Sequence, residues 1–142
     1  MIRALINTDV IVDAFHRQGE FVDSARAVLS FVDDNLIEGY ITPGCIINLF
    51  NLLQKDPNLG GNPYDILEGV MTSFQVLCPS PNDCWCALNA KWANFDNAVL
   101  SYTASNNNIN YIITRNTKSF KNSSLPAITP KNFVKKFKNK IS

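Results

Sequence analysis

The sequence predicts an α/β domain built on a parallel sheet of four to five strands, with helices on both faces. Short apolar segments of strand length alternate with longer segments that have a helical period. The short segments are almost continuously hydrophobic, as expected for parallel strands that are buried on both faces. A chain of 142 residues with 46% hydrophobic residues is large enough for one core. We therefore predict a single domain over residues 1–142.

The chain begins with a predicted strand and two predicted helices. "RALIN" (3–7) is short and apolar, and Asp9 is placed to cap the helix "VIVDAFHRQ" that follows it. A second helix over residues 20–35 is amphipathic, with five apolar side chains on one face: Phe21, Ala25, Val28, Leu29 and Val32. These elements form the first strand-to-helix corner of the predicted fold.

The middle of the chain repeats this alternation. A strand in "EGYITP" leads to a helix over residues 44–55, and Pro43 suits the first turn of that helix. The loop "DPNLGGNP" precedes a helix over residues 64–74, and "QVLCP" is a third strand. Residues 82–105 are expected to form one interrupted helix or two adjacent helices, capped by Asn82 or Asp83.

The end of the chain contains the clearest strand, "INYIIT", which is rich in β-branched residues. A polar turn, "RNTKSF", and a short strand, "LPAIT", follow it. Thr129 then caps a C-terminal helix whose first residue is Pro130. Right-handed crossovers place functional loops at the carboxyl ends of parallel strands. In this sequence those ends are residues 7–9, 42–45, 78–80 and 114–116.

Composition argues against several classes of site and protein. The cysteines (Cys45, Cys78, Cys84 and Cys86) lack the spacing of a zinc framework, so we expect reduced, packed thiols. His16 is expected to be a solvated residue at a helix end, without a chemical role. No apolar segment approaches the ~20 residues that span a bilayer, and no signal peptide is evident. We therefore expect a cytoplasmic protein that does not enter the membrane.

Charge is distributed unevenly along the chain although its net value is only +1. Residues 1–114 contain all twelve acidic side chains and five basic ones, whereas residues 115–142 contain eight basic side chains and no acidic one. Phe133 and Phe137 are four residues apart in "KNFVKKFKNK", which predicts a helix that docks its apolar stripe and leaves its lysines in water. Attraction of phosphates is a second use open to the outer face of this helix.

The order of four segments resembles the PIN-domain proteins, small metal-dependent ribonucleases that include toxins of bacterial toxin–antitoxin pairs. The segments are "INTDVIVDAF", "IEGYITPGCIINLFNLL", "NFDNAVLSYTASNNNINYIITRNTKSF" and "PAITPKNFV", and the resemblance runs from about Ala4 to Val134. It implies a three-layer PIN-like domain. It also implies four carboxylate positions that hold Mg²⁺ or Mn²⁺ at the carboxyl edge of the sheet.

Every one of those positions is neutral in this chain. The resemblance places the family's acids at Asn7, at Asn48, at Asn94 with Asn97, and at Ser119, while Asn116 falls where the family uses Asn or Asp. An amide has nearly the shape of a carboxylate but no charge, and Mg²⁺ is typically held by carboxylates and substrate phosphates. We therefore expect no metal cofactor and little or no hydrolysis.

Neighbouring acids offer an alternative. Asp9 lies two residues after Asn7, Asp13 is one helical turn further on, and Asp96 adjoins Asn97. These three could support a working Mg²⁺- or Mn²⁺-dependent endoribonuclease. Each also has a structural explanation, with Asp9 as a helix cap and the other two as solvated surface acids.

The polar turn after the clearest strand suggests contact with RNA that needs no metal. Thr114, Arg115, Asn116 and Lys118 lie at the family's active edge, with Lys121 close behind, and a basic side chain there can engage a phosphate. With the acids gone, we expect this edge to be positive.

Three hypotheses for function follow. The first is a PIN-like protein that binds RNA or a protein partner, and the second is the active ribonuclease described above. The third is an interaction module that pairs with an antitoxin-like protein or with itself and does not bind nucleic acid. Trp85, Trp92 and Phe95 could serve such a dimer, although core packing is the expected role of these aromatic residues.

Overall fold

The computed structural model describes residues 1–59 and 61–141. Five strands and seven α-helices alternate within this described part of the chain. The strands are β1 (Arg3–Ile6), β2 (Glu38–Ile41), β3 (Gln75–Val76), β4 (Tyr111–Ile113) and β5 (Ala127–Ile128). The helices are α1 (Thr8–Phe15), α2 (Val22–Asp33), α3 (Pro43–Lys55), α4 (Pro63–Ser73), α5 (Pro81–Ala90), α6 (Phe95–Ser105) and α7 (Pro130–Ile141), with a 3-10 helix at Thr117–Phe120.

The sheet is parallel throughout, with the strand order β3-β2-β1-β4-β5. Successive strands run from β1 outward to β3, and the chain then crosses back to β4 on the other side of β1. The direction of winding therefore reverses between β1 and β4, where Ile6 pairs with Ile113. Ligand crevices in open α/β sheets form at the carboxyl ends of the strands beside such a reversal.

The helices form two layers. Contacts link α1 with α2 and α3, α2 with α7, and α3 with α4, whereas α5 packs against α6. Right-handed crossovers place helices on opposite faces of the sheet when the direction of winding reverses. The predicted α/β class, the parallel sheet of up to five strands and the three-layer PIN-like architecture are thus confirmed.

The core lies between the central strands and the helices that cover them. Leu5, Ile6, Ile112 and Ile113 are fully or almost fully buried. Phe133 of α7 is completely buried, and its ring lies 4.8 Å from that of Phe137. The C-terminal helix therefore docks its apolar stripe as predicted.

The starts of two helices differ from prediction. Asn7, not Asp9, caps α1, because Asn7 remains extended and its Oδ1 accepts a hydrogen bond from Thr8 N. Ser80, not Asn82 or Asp83, caps α5. Proline at the first helical position favours an extended residue before it, and Ser80 occupies that position.

The end of α1 and the start of α2 are also shifted from prediction. Helix α1 ends at Phe15, and His16 forms its C-cap, as expected for a helix-end residue. Phe21 precedes the first residue of α2 and is 41% exposed, so it does not belong to the buried face of that helix.

Asp83 joins α5 to α6 through a buried carboxylate. It accepts hydrogen bonds from Ser80 N, Thr103 Oγ1 and Asn106 Nδ2, at 2.9, 3.3 and 2.5 Å. Burial alone would raise the pKa of Asp83, but these hydrogen bonds together favour the charged form more strongly and hold the pKa below its ordinary value of 3.8. The charged carboxylate therefore stabilises the folded state.

Replacement of this carboxylate by an amide is expected to weaken the fold in a pH-dependent way. Asp83→Asn should lower the free energy of unfolding at pH 7 by about 1–3 kcal/mol, because a buried donor loses its acceptor. A lowered folded pKa gives stability that is present above the unfolded pKa and lost as the pH falls through the folded pKa. Urea unfolding at pH 7 and pH 3 should therefore show a smaller difference between the two proteins at pH 3. An equal difference at both pH values, or an equal loss in the exposed control Asp65→Asn, would contradict this assignment.

Candidate functional site

A crevice of about 710 Å³ opens at the carboxyl ends of β1 and β4, at the predicted edge of the sheet. We call it the central crevice. Its polar lining includes Asn7, Thr8, Asp9, Thr42, Cys45, Asn48, Asn94, Asp96, Asn97 and Asn116. Its apolar lining includes Ile47, Leu52, Phe95, Val99 and Leu100.

The fold brings most of the predicted site residues to this crevice. Five family positions and two of the substitute acids line it: Asn7, Asn48, Asn94, Asn97, Asn116, Asp9 and Asp96. Ser119 and Lys118 lie on the 3-10 helix and are not among the described residues that line the crevice. Thr114 is fully buried beside the crevice, where it contacts Asn7 and Asp9.

Thr114 is the centre of a hydrogen-bond network that connects β1, α1 and β4. Its hydroxyl donates to Asp9 Oδ2 (3.0 Å) and accepts from Asn7 Nδ2 (3.3 Å) and from Asn116 N (3.1 Å). A hydroxyl has one proton to donate and two lone pairs to accept with, so all of its capacity is used. Asp9 Oδ2 accepts a further hydrogen bond from Arg115 N at 3.0 Å.

This network depends on an amide at position 7. The Asn7 amide donates to a hydroxyl whose only proton already points to Asp9, and a carboxylate at position 7 has no proton to donate. Asn7 Oδ1 accepts from Thr8 N at 3.0 Å and lies 4.0 Å from Cys45 Sγ. The amide directly after β1 thus has a structural role: it caps α1 and donates a hydrogen bond to Thr114.

The other family positions are also neutral, and their roles differ. Asn94 caps α6 by accepting a hydrogen bond from Asn97 N at 3.0 Å. The side chains of Asn48 and Asn97 form no hydrogen bond with another described residue. Asn48 is exposed and Asn97 is half-buried. These amides present hydrogen-bonding groups to the crevice but no charge.

Asp13 and Arg115 form an ion pair next to the crevice. Arg115 Nε lies 2.6 Å from Asp13 Oδ2, and the guanidinium carbon stacks 4.4 Å from the centre of the Phe21 ring. Burial raises the pKa of Asp13, and the charge of Arg115 opposes that rise. Asp13 is buried, so the prediction that it is a solvated surface acid is wrong. Asp96 is exposed, as predicted.

The ion pair of Asp13 and Arg115 also affects the charge of the crevice. Among the described residues, the lining carries the carboxylates of Asp9 and Asp96 and no lysine or arginine. Arg115, the basic residue expected to make the edge positive, is held by Asp13. The lining of the crevice is therefore not positive, whereas the positive charge of the wider edge, where Lys118 and Lys121 are exposed, stays a prediction.

The donor set does not fit a catalytic divalent metal ion. Within the part of the chain that the structure describes, no group of three or more His, Cys, Asp or Glu side chains could hold a metal ion. Asp9 Oδ1 is buried without a hydrogen-bond partner among the described residues, but Oδ2 of the same carboxylate already accepts two hydrogen bonds. The other carboxylate of the lining, Asp96, is exposed. Two carboxylates, one of them with a single free oxygen, are a poor ligand set for the near-octahedral oxygen coordination that Mg²⁺ prefers.

Comparison with known proteins identifies the family. A family model for the PIN domain matches residues 3–118. This chain belongs to the PIN-domain family. The family predicted from the sequence is thereby confirmed. No protein with a curated description matches the chain. None of the helices in the described residues is long and apolar enough to cross a membrane.

Solved structures share this PIN fold at low sequence identity. PAE2754 from Pyrobaculum aerophilum is 16% identical, with a TM-score of 0.68 over 97% of this chain and 96% of that one. A chain of VapBC2 from Rickettsia felis, bound to a DNA fragment from its promoter, is 17% identical, with a TM-score of 0.66 over 91% and 98%. A toxin–antitoxin complex from Klebsiella pneumoniae contains a chain that is 20% identical, with a TM-score of 0.63 over 89% and 97%. Identities this low show the shared fold alone.

Sequence reasoning missed several residues of this PIN domain's crevice. The sequence contains a pattern that could have predicted the Asp13–Arg115 ion pair. Asp13 is one helical turn from Asp9 and therefore faces the edge of the sheet where Arg115 begins a turn. Cys45 and Phe95 line the crevice without a chemical pattern that would have singled them out for it. Trp92 packs against the core as expected, whereas Trp85 and Phe95 are 64% and 47% exposed, so the expectation of core packing is wrong for them.

Loss of the Arg115 guanidinium is expected to destabilise the domain more at high pH than at low pH. Arg115→Ala leaves a buried carboxylate unpaired, which should cost about 1–3 kcal/mol at pH 7.5, less than for a fully buried pair. The Asp13 pKa, already raised, should rise further, so the variant loses stability as the pH rises from the unfolded pKa through the folded one. Urea unfolding at pH 4.5 and pH 7.5 tests this.

The exposed Lys118 supplies the matched control for this measurement. Lys118→Ala should change stability by less than about 0.5 kcal/mol at both pH values. An Arg115→Ala loss that does not depend on pH, or one no larger than that of Lys118→Ala, would show that the ion pair does not stabilise this corner.

Proposed function

We propose that this PIN domain binds a protein partner of the antitoxin type at its central crevice and does not hydrolyse RNA. The network of Asn7, Thr114 and Asp9 carries the proposal, because hydrogen bonds, and not a cluster of carboxylates, join the ends of β1 and β4 in the crevice. A site built for a metal ion would leave several carboxylates to be neutralised by that ion.

Charge is the reason that hydrolysis is not expected. Two-metal phosphodiester cleavage brings two divalent ions within about 4 Å of each other, which requires concentrated negative charge. Two opposite unit charges 4 Å apart attract by roughly 4 kcal/mol in a surface-like dielectric, so each neutral position removes a substantial part of the attraction. Asn7, Asn48, Asn94 and Asn97 are all neutral in this crevice.

The alternative with residual acids has less support in the geometry. Asp13 is paired with Arg115 and is not among the described residues of the lining. That leaves Asp9, whose Oδ2 already accepts two hydrogen bonds, and the exposed Asp96. An Mg²⁺- or Mn²⁺-dependent endoribonuclease built on Asp9, Asp13 and Asp96 would first have to open the ion pair.

The walls of the crevice favour a protein over a nucleic acid. Ile47, Leu52 and Phe95 line it and are 64%, 42% and 47% exposed, which forms an apolar surface next to two carboxylates. Protein interfaces combine such apolar centres with a polar rim, whereas phosphates need positive charge. The crevice therefore suits a partner segment with several apolar side chains and a basic one.

Similar structures support the class of partner. The VapBC2 structure from Rickettsia felis and the toxin–antitoxin complex from Klebsiella pneumoniae both contain a chain with this fold in a complex. RNA contact through Thr114, Arg115, Asn116 and Lys118 is less favoured, because Thr114 is fully buried and Arg115 is held by Asp13. A second copy of the chain is the other protein that could cover the crevice, and the mass of the complex separates these cases.

Incubation with a mixed single-stranded RNA and excess Mn²⁺ tests the loss of hydrolysis. We expect no cleavage above the buffer control, and the same result for Asp9→Asn, because the crevice lacks the charge to hold metal ions. Cleavage by the natural protein that Asp9→Asn abolishes would contradict the proposal and establish the ribonuclease.

A pair of charge substitutions tests the partner site. Leu52→Glu places a charge in the apolar wall of the crevice, and Met71→Glu places the same charge on α4, where Met71 is 51% exposed and not among the described lining residues. When the tagged protein is expressed in its own host, native mass spectrometry should detect a heteromeric complex for Met71→Glu but at least ~tenfold less for Leu52→Glu. Equal recovery for both variants, or only homodimer in both, would contradict an antitoxin-type partner at the crevice.

A further inference from the structure

The C-terminal part of the chain carries several unpaired basic side chains. Residues 115–142 contain eight basic side chains and no acidic one. Arg115 is neutralised by Asp13, and Lys136 Nζ lies 3.3 Å from the Tyr111 hydroxyl. Of the six other lysines, the five whose side chains the structure describes are exposed and lie in no ion pair with a described residue: Lys118, Lys121, Lys131, Lys135 and Lys138.

Three of these lysines form a single stripe on α7. Lys131, Lys135 and Lys138 have the spacing i, i+4 and i+7, so they lie on the same side of the helix. Neighbouring lysines of the three are about one helical turn apart, or ~5–6 Å along the axis. We call this stripe the α7 lysine face. Lys118 and Lys121 belong to the 3-10 helix and its C-cap, which contacts β5, the strand that leads into α7.

The core holds this face towards the solvent. Phe133 and Phe137 lie on the other side of α7 and are 0% and 6% exposed. The ring of Tyr111 packs edge-on against both phenylalanines, with centroid distances of 6.1 and 5.4 Å. The helix therefore cannot rotate its lysines inward without loss of these contacts.

No acidic side chain among the described residues forms an ion pair with this face. Helix α7 packs against α2, which carries Asp23 and Asp33. Neither carboxylate lies within 4.0 Å of a described lysine nitrogen of α7. Like charges at helical spacing repel one another. A polyanion would relieve that repulsion and release its own counterions.

We propose that the α7 lysine face binds the phosphodiester backbone of a nucleic acid, at a site separate from the central crevice and without a metal ion. A lipid surface is the poorer ligand, because interfacial helices insert an apolar face and that of α7 is in the core. Both aromatic residues of α7 are buried, so the face offers no platform for stacking of bases. Contacts limited to phosphates make the binding independent of sequence.

This inference does not depend on the proposed function, because the two sites share no residue. Fluorescence anisotropy with a 20-nucleotide RNA and a DNA of the same sequence tests it, at several salt concentrations and in the presence of EDTA. Both nucleic acids should bind with similar affinity. For single strands the slope of log K against log salt is about −0.7 per phosphate contacted, so three lysines should contribute about −2.

Two triple variants of equal net charge distinguish binding at the α7 lysine face from a general effect of net charge. Lys131→Glu/Lys135→Glu/Lys138→Glu should weaken binding at least ~tenfold and flatten the salt slope by about 2. Arg17→Glu/Lys55→Glu/Lys91→Glu changes three exposed basic residues elsewhere that are in no ion pair with a described residue, and should weaken binding less than ~threefold. The affinity of a milder variant, Lys131→Gln/Lys135→Gln/Lys138→Gln, should lie between the affinities of the α7 glutamate variant and the natural protein. This variant serves as a control in case the glutamate substitutions disturb folding.

Several results would overturn the proposal. Failure of the natural protein to bind either nucleic acid would do so, as would equal weakening of binding by the two triple variants with glutamate. A strong preference for RNA over DNA would point to recognition of more than phosphate. Binding to vesicles that contain phosphatidylserine, in the absence of binding to nucleic acid, would assign the face to membranes.

Discussion

The hydroxyl of Thr114 has one proton, and the direction in which that proton points determines the character of the central crevice. It points to Asp9, so the group on the other side of Thr114 has to be a donor, and Asn7 is one. This order of donors and acceptors joins β1, α1 and β4 at the place where the sheet reverses its winding. The corner of this PIN domain is held by an amide, a hydroxyl and one carboxylate.

The ion pair beside the crevice also determines the charge of its surroundings. Asp13 holds Arg115, so the positive charge nearest to the crevice is already paired, and the lining keeps two carboxylates and an apolar wall. The unpaired lysines lie instead on α7 and the 3-10 helix. The acidic side chains of the crevice and the unpaired lysines thus lie on different elements of the fold. This separation suits the proposed binding of a partner protein and a nucleic acid on different surfaces.

The fold was predictable because it depends on patterns that a sequence displays directly. "INYIIT" contains strand β4, which lies between β1 and β5, and the spacing of Phe133 and Phe137 predicted the buried face of α7. The helix starts at Asn7 and Ser80 were not predicted, because several nearby residues can cap and only the backbone conformation selects one. The positions of the crevice residues followed from the family resemblance, whereas the Asp13–Arg115 pair required the distance between α1 and the end of β4, which local patterns do not contain.

The thermal unfolding temperature of Asn7→Asp, measured in EDTA and again with 10 mM Mn²⁺, tests the central claim most directly. The account predicts that the variant unfolds about 3–8 °C below the natural protein in EDTA, because it loses a donor and gains a charge beside Asp9. Asn48→Asp, at an exposed position without a hydrogen bond to a described residue, should change little. Mn²⁺ should leave the natural protein unchanged. An Asn7→Asp variant as stable as the natural protein in EDTA, or a natural protein stabilised by Mn²⁺, would contradict the account.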